Sequence, residues 1–492
     1  MPRSATLWPP RSTTLGLALL ATACAHTPTG SPAAWHYTVA VAPDLGRLDV
    51  EVCFRKGTTP VRLVADDDAA VRYVVPPRDG RTLHINLQAG FISAPTRPCL
   101  AYAVDIARML DEVDSDAMAR VGEAIAGSPH LWLWRPEVLP DSAEVTLAFA
   151  LPDGVAVSVP WPQTAQTTGA GQGAGVYRLP VTAFKWATQT VIGKFTADRF
   201  TAAGTDFQVA VMDRPRAVTA AGIRRWLTKA AETVASLYGN FPTPTMQVVI
   251  VPYPGGGDPV YFGMALRGGG PAVLLLVSGT AEDHEFPGEW VAIHEFLHHG
   301  MPFVQHDDAW MSEGFVTYYT DVLKVRAGIR TQLASWKALV GGFARGGRDG
   351  SGLSLAEEST HMHDNHAYQR VYWGGAAIAL LLDVALREAG SSLDAAMRHL
   401  DACCADAPKI WRADAILDEW ARWHRGSGGV VDLHAVVDPI LQRTGGPWRA
   451  DGSFPELSAV YRKLGVNMVD GEPTLDESAS LAHVRRAIFT SP

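Results

Sequence analysis

Val291-Ala292-Ile293-His294-Glu295-Phe296-Leu297-His298-His299-Gly300 carries two histidines four residues apart, with a glutamate directly after the first. Residues four apart lie one above the other on a helix, so the His294 and His298 imidazoles can reach one metal ion. H-E-x-x-H is a zinc pattern of this kind, and Glu295 then sits where it can take a proton from metal-bound water. Pro287 suits the start of such a helix, and Gly300 with Pro302 suits its end. A second helical stretch follows at Trp310-Met311-Ser312-Glu313-Gly314-Phe315-Val316-Thr317-Tyr318-Tyr319. Glu313 is the natural third ligand of a His/His/Glu site, which leaves a fourth position open for water. The competing reading is an amphipathic helix with incidental histidines and a surface Glu313.

Working outward, Ile223, Trp226, Leu227, Ala230, Val234, Leu237 and Tyr238 keep helical spacing and stop at Gly239. Val248 to Val251 and Val273 to Val277 read as buried strands, and the second as a sheet edge that an extended substrate could join. Upstream, Trp35 to Arg214 consists mostly of short alternating runs between Pro/Gly turns, with a glycine-rich loop at 168–175. Beyond Gly352 the pattern is helical to near the end. The predicted organisation is 1–23 signal peptide, 24–34 tether, 35–215 β domain, 216–390 catalytic domain and 391–492 helical region.

On Trp310 to Phe315 and on H-E-x-x-H, the chain resembles the gluzincin zinc metallopeptidases, in particular the aminopeptidase-N-like and glycyl-aminopeptidase-like group. Trp310-Met311-Ser312-Glu313-Gly314-Phe315 is similar to their W-L-N/S-E-G-F segment, whose Glu binds zinc. The link from His299 to Ser312 is 14 residues, shorter than is usual there. Val371-Tyr372-Trp373-Gly374-Gly375-Ala376 resembles their Y-x-K-G-A segment, with Gly374 in place of the Lys. The resemblance implies that Tyr372 donates a hydrogen bond to the tetrahedral intermediate. A phenol at a helix start near the metal suits that role on physical grounds too. A half-buried core Tyr is the bland alternative, and Tyr368, one turn earlier, is the other candidate donor.

The resemblance implies a multidomain α+β chain: an N-terminal all-β domain, a thermolysin-like α/β zinc domain and a helical C-terminal region. It also implies Zn2+ as cofactor and a peptide or protein substrate. The group's aminopeptidases carry G-x-M-E-N, whose Glu binds the free amine. Here the segment is Gly263-Met264-Ala265-Leu266-Arg267, with no Glu. Arg267 cannot bind an ammonium, though a guanidinium suits a carboxylate, so aminopeptidase specificity is not implied.

Other polar groups read more plainly. His361, His363, Asp364 and His366 crowd a solvated loop before the Tyr372 helix, with a second metal site as the sharper reading. His299 and His306 flank the site without ligating. Thr317 and Asp321 could support a ligand histidine, or simply face solvent.

The N-terminus reads as an export signal: Arg3 and Arg11, an apolar run from Leu15 to Leu20, then Ala21-Thr22-Ala23-Cys24. It resembles a bacterial lipoprotein signal, with Cys24 as the acylated residue and the only link to a membrane. The alternative is a cleaved signal and a periplasmic or secreted protein. In an oxidising compartment Cys53 and Cys99, each on the outer face of a strand pattern, can pair or stay free. Cys403 and Cys404 read as small helix residues. The net charge is −9, and no basic patch points to nucleic acid. Two function classes remain: a zinc peptidase, and a surface lipoprotein that keeps the fold as a non-catalytic binding module. Intact Glu295 speaks for the first, because a scaffold has no chemical need for that carboxylate.

Overall fold

The computed structural model describes residues 34–491 apart from 55–61, 66–67, 78–83, 87–89, 94–98, 114–116, 167–174, 216 and 443–453. The signal segment, Cys24 and most of the tether and of the glycine-rich loop lie outside the described residues.

The N-terminal part is built of β-sheet. Strands β1 (Ala34–Val41), β2 (Arg47–Phe54), β3 (Cys99–Asp105) and β4 (Glu144–Ala150) lie in a seven-stranded sheet. There β4 pairs parallel with β1, and β1, β2 and β3 follow antiparallel. Leu48, Val50, Val52 and Phe54 alternate into the core with Tyr37, Tyr102, Trp132 and Trp134, as period-two patterning requires. The outward residues Cys53 and Cys99 face each other in register and are joined as a disulfide. Two four-stranded sheets complete this part.

A five-stranded mixed sheet follows: β5 (Thr196–Ala202), β6 (Thr205–Val211), β7 (Thr245–Tyr253), β8 (Val260–Leu266) and β9 (Ala272–Ser278). The hairpin β5–β6 precedes Pro215 in sequence yet pairs into this sheet, because β6 runs parallel to β7. The spatial order is β5-β6-β7-β9-β8. This corrects one expectation: the Val273 to Val277 strand, β9, is an inner strand, and its antiparallel neighbour β8 is the edge.

Helix α1 (Ala220–Tyr238) starts at a Thr219 cap and ends at Gly239, whose φ of 94° suits only glycine. Next come α2 (Val291–His298), α3 (Ala309–Arg326), α4 (Gln332–Gly346), α5 (Tyr368–Glu388), α6 (Leu393–Cys404) and α7 (Ala413–Gly426). One core runs through this sheet and these helices. The helical region is interrupted by two short pairings. Ile410–Trp411 lies parallel to Phe303–Val304, and Val466–Val469 forms a hairpin with Glu472–Leu475. A second correction falls at the end of α6. Cys403 and Cys404, the last two residues of the helix, are bonded to each other. Among the described residues, no helix is long and apolar enough to cross a membrane.

The chain is thus a multidomain α+β protein: β-sheets first, then a mixed sheet with helices, then a helical region.

Candidate metal centre

Helix α2 begins at Val291, later than Pro287 suggests. Pro287 lies in a short 3-10 turn, and the buried Glu289 carboxylate accepts from the Val291 amide at 2.5 Å and the Ala292 amide at 3.1 Å. That satisfies two amides at the helix start, a role hidden in the sequence because Glu is an uncommon capping residue. Ile293, Phe296 and Leu297 anchor α2 in the core, so its other face presents His294 and His298.

Glu313 arrives on α3, held against α5 by a close helix crossing. A Cβ added to Gly375 would stand 1.7 Å from the Trp310 carbonyl oxygen, and one added to Gly314 would stand 2.4 Å from the Gly375 Cα. Two glycines therefore let the backbones approach until Glu313 and Tyr372 meet at one point. The sequence shows both glycines but not that they face each other.

His294 Nε2 lies 3.1 Å and His298 Nε2 3.4 Å from the same Glu313 oxygen. All three potential ligand atoms fall within 4.8 Å of one another. Burial alone would raise the Glu313 carboxyl, but the His298 and His294 imidazoles beside it hold it well below the usual carboxylate range. Two imidazole nitrogens and a carboxylate converging in a largely buried place form a donor set suited to zinc, so the residues fit the ion.

Two further groups border this point. Glu295 is buried, and burial pushes its carboxyl up to about 7, with His294 opposing and Glu313 adding. It accepts a hydrogen bond from the Ala265 amide of β8. Gly263 of the same strand lies against it, since a Cβ there would stand 2.6 Å from the Glu295 Cγ. The Tyr372 ring stacks parallel to His294 at 6.2 Å, and its hydroxyl donates to Glu313. Burial, then Glu313 and Glu295, raise the phenol well above its ordinary value, so it stays a proton donor. Tyr368 is more exposed and its hydroxyl is 2.9 Å from His363 Nδ1. Of the two tyrosines, Tyr372 is the one at the centre.

Arg267 turns away from the centre. Its Nη2 donates to the His298 carbonyl and, at 2.8 Å, to the Met301 carbonyl, so it ties down the C-terminal end of α2 and does not offer itself to a substrate carboxylate. Asp321 is ion-paired with Arg330 and supports no ligand histidine. His299 is buried on the far side of α2, 3.2 Å from the Ala272 carbonyl oxygen. His306 stacks on His363 at 4.7 Å, and His361 lies 3.8 Å from Asp364. Among the described residues these loop histidines form no metal-binding group. Trp290 went unnoticed in the sequence; it is exposed and meets the His294 ring edge-on at 5.6 Å.

No family model matches the sequence, and no curated protein matches it either. The fold answers where the sequence does not: across most of its length the chain is structurally similar to aminopeptidase N family proteins and M1 zinc metallopeptidases. An aminopeptidase N family protein from Idiomarina loihiensis superposes with a TM-score of 0.59 at 17% identity, covering 92% of this chain and 78% of that one. An M1 zinc metallopeptidase from Deinococcus radiodurans does so with a TM-score of 0.53 at 14% identity, covering 85% and 94%. A point mutant of an M1 zinc metallopeptidase from Deinococcus radiodurans, solved with a Tyr-Ser-Ala substrate, gives 0.52 at 14%, covering 84% and 95%. At these identities the likeness concerns the fold.

Proposed function

We propose that the protein is a zinc-dependent peptidase in which His294, His298 and Glu313 hold the ion, Glu295 is the general base and Tyr372 is the oxyanion donor. The convergence of the three ligand atoms within 4.8 Å, with Glu295 on the same helix, carries this reading. A zinc ion held there would supply Lewis acidity and acidify a water molecule. Glu295 accepts the proton of the attacking water and later delivers it to the leaving amine nitrogen. A buried carboxylate one residue from a ligand histidine stands within reach of both transfers. Tyr372, kept protonated, donates to the oxygen that gains charge as the carbonyl becomes tetrahedral.

The substrate would lie along β8. This strand is the sheet edge, and it exposes Tyr261, Phe262 and Met264 beside the centre. An extended peptide can add to such an edge through its main chain, leaving side-chain contacts to apolar residues. The carboxylates nearest the centre are all engaged. Glu313 faces both histidines, Glu295 is the base, and Glu289 caps α2. None of these three is left to receive a free N-terminal ammonium, which favours internal or N-blocked peptide bonds. We also propose, on the leader alone, that the protein is exported and anchored through Cys24.

Digestion of a peptide library by the purified protein, read by mass spectrometry, tests the reading. Cleavage that stops on chelation and returns with Zn2+ is the expected result. No cleavage by fully zinc-loaded protein would favour a binding module.

A further inference from the structure

A second set of metal-binding atoms lies between α6 and α7. His399 and Cys403 are four residues apart on α6, which places them on one face. Glu419 reaches them from α7, with its Oε1 2.8 Å from His399 Nε2. One ligand atom from each of the three residues lies within 4.8 Å of the other two. Trp423 stacks on the His399 ring at 5.4 Å and fixes its plane. The other Glu419 oxygen is held by Arg422. A plain ion pair between His399 and Glu419 would tie the two helices together equally well, but it makes no use of the Cys403 sulfur set beside it. Cys404 is buried and packs in the core, whereas Cys403 is exposed beside the pair.

We propose that His399, Cys403 and Glu419 form a second zinc-type cation site that exists only when the Cys403–Cys404 disulfide is reduced. Nitrogen, sulfur and carboxylate oxygen are the donors zinc prefers, and three of them leave one position for water. The disulfide sulfur is not a thiolate, so the oxidised chain lacks the third ligand. A dithiol reduces it by thiol–disulfide exchange: two electrons and two protons pass to Cys403 and Cys404, and the reductant leaves as its own disulfide. Metal binding then displaces the Cys403 thiol proton to solvent and forms a metal–thiolate bond. The site lies close to the first centre in bonding terms. Ala405, two residues beyond Cys403, accepts from Arg267 at 3.4 Å, and Arg267 also holds the His298 carbonyl.

Cobalt(II) titration of the metal-stripped full chain tests this, because a thiolate–cobalt bond gives a near-ultraviolet charge-transfer band. The His294/His298/Glu313 centre has no thiolate and cannot produce it, so the result stands apart from the peptidase reading; Cys53 and Cys99, whose disulfide the reductant would also open beside Glu51, and Cys24 are replaced by Ser in every sample, the reference protein included. The band should appear in protein reduced by a phosphine, be absent from oxidised protein, and be lost in Cys403→Ser. Cys404→Ser leaves Cys403 free and should show the band without reductant, and His399→Ala should weaken it. No band in the reduced reference protein and in Cys404→Ser, or an undiminished band in Cys403→Ser, would overturn the proposal.

Discussion

Glu295 is a buried carboxyl beside His294, Glu313 and Tyr372, and under the proposed reading its proton is coupled to the zinc ion. Without metal its carboxyl is pushed up to about 7. A dication beside it favours the carboxylate, so zinc uptake at lower pH must expel that proton as well as any on His294 and His298. Zinc affinity should therefore fall as pH drops from about 8 to about 6, with more protons released per ion at the lower pH. Calorimetry in buffers of differing ionisation enthalpy measures this, and a pH-independent affinity would contradict it. If Tyr372 is the oxyanion donor, as proposed, Tyr372→Phe should lower kcat by ~10²–10³-fold with zinc retained, whereas Tyr368→Phe should change kcat little. Steady-state kinetics of the two variants decides which tyrosine acts. His294, His298 and Glu313 were legible in the sequence because a helical repeat and one neighbouring helix suffice to bring them together. Arg267 was misread because its partners, the carbonyls at the end of α2, are distant in sequence. Asp321 was left open for a similar reason, its partner Arg330 lying past the end of α3.

At the scale of elements, the centre depends on how closely α3 and α5 cross. Gly375→Ala drives a methyl against the Trp310 carbonyl, so the helices must part and carry Glu313 away from the histidines. Such overpacking costs about 1–3 kcal/mol. The variant should melt earlier and also bind zinc more weakly; thermal melts with metal analysis check both, and wild-type values would show that the crossing has slack. The periodicity of α1 and of the β7 and β9 segments was readable from their apolar spacing. Sheet order was not, since a hydrophobic run looks the same at an inner position and at an edge. The edge was therefore assigned to β9, when the less apolar β8, with Gly263 against Glu295, holds it. The α2 boundary shifted for a local reason: Glu289 satisfies the first amides of a helix that starts at Val291, four residues after Pro287.

For the whole molecule, the order of parts read from apolar patterning is the order observed: sheets, mixed sheet with helices, helical region. The hairpin β5–β6 was not assignable to the mixed sheet, since parallel pairing of β6 with β7 spans a helix that local patterning cannot bridge. Substrate choice also belongs to this scale, because it depends on what lines the cleft beside β8. With Glu313, Glu295 and Glu289 all engaged, chromogenic N-terminal amides should be poor substrates compared with internal bonds of apolar peptides. Comparing kcat/KM for the two classes tests this, and efficient, general release of N-terminal residues would refute it. The central claim, that this fold carries zinc-dependent proton-transfer catalysis, is tested most directly by Glu295→Gln. The change keeps the side chain's size and touches no metal ligand, so zinc content should equal that of wild type. Loss of the general base should lower turnover by ~10²–10⁴-fold. Turnover measured with zinc content in the same sample is the decisive experiment: full zinc with a rate reduced by that factor is the predicted result, and full zinc with a near-wild-type rate would contradict the account.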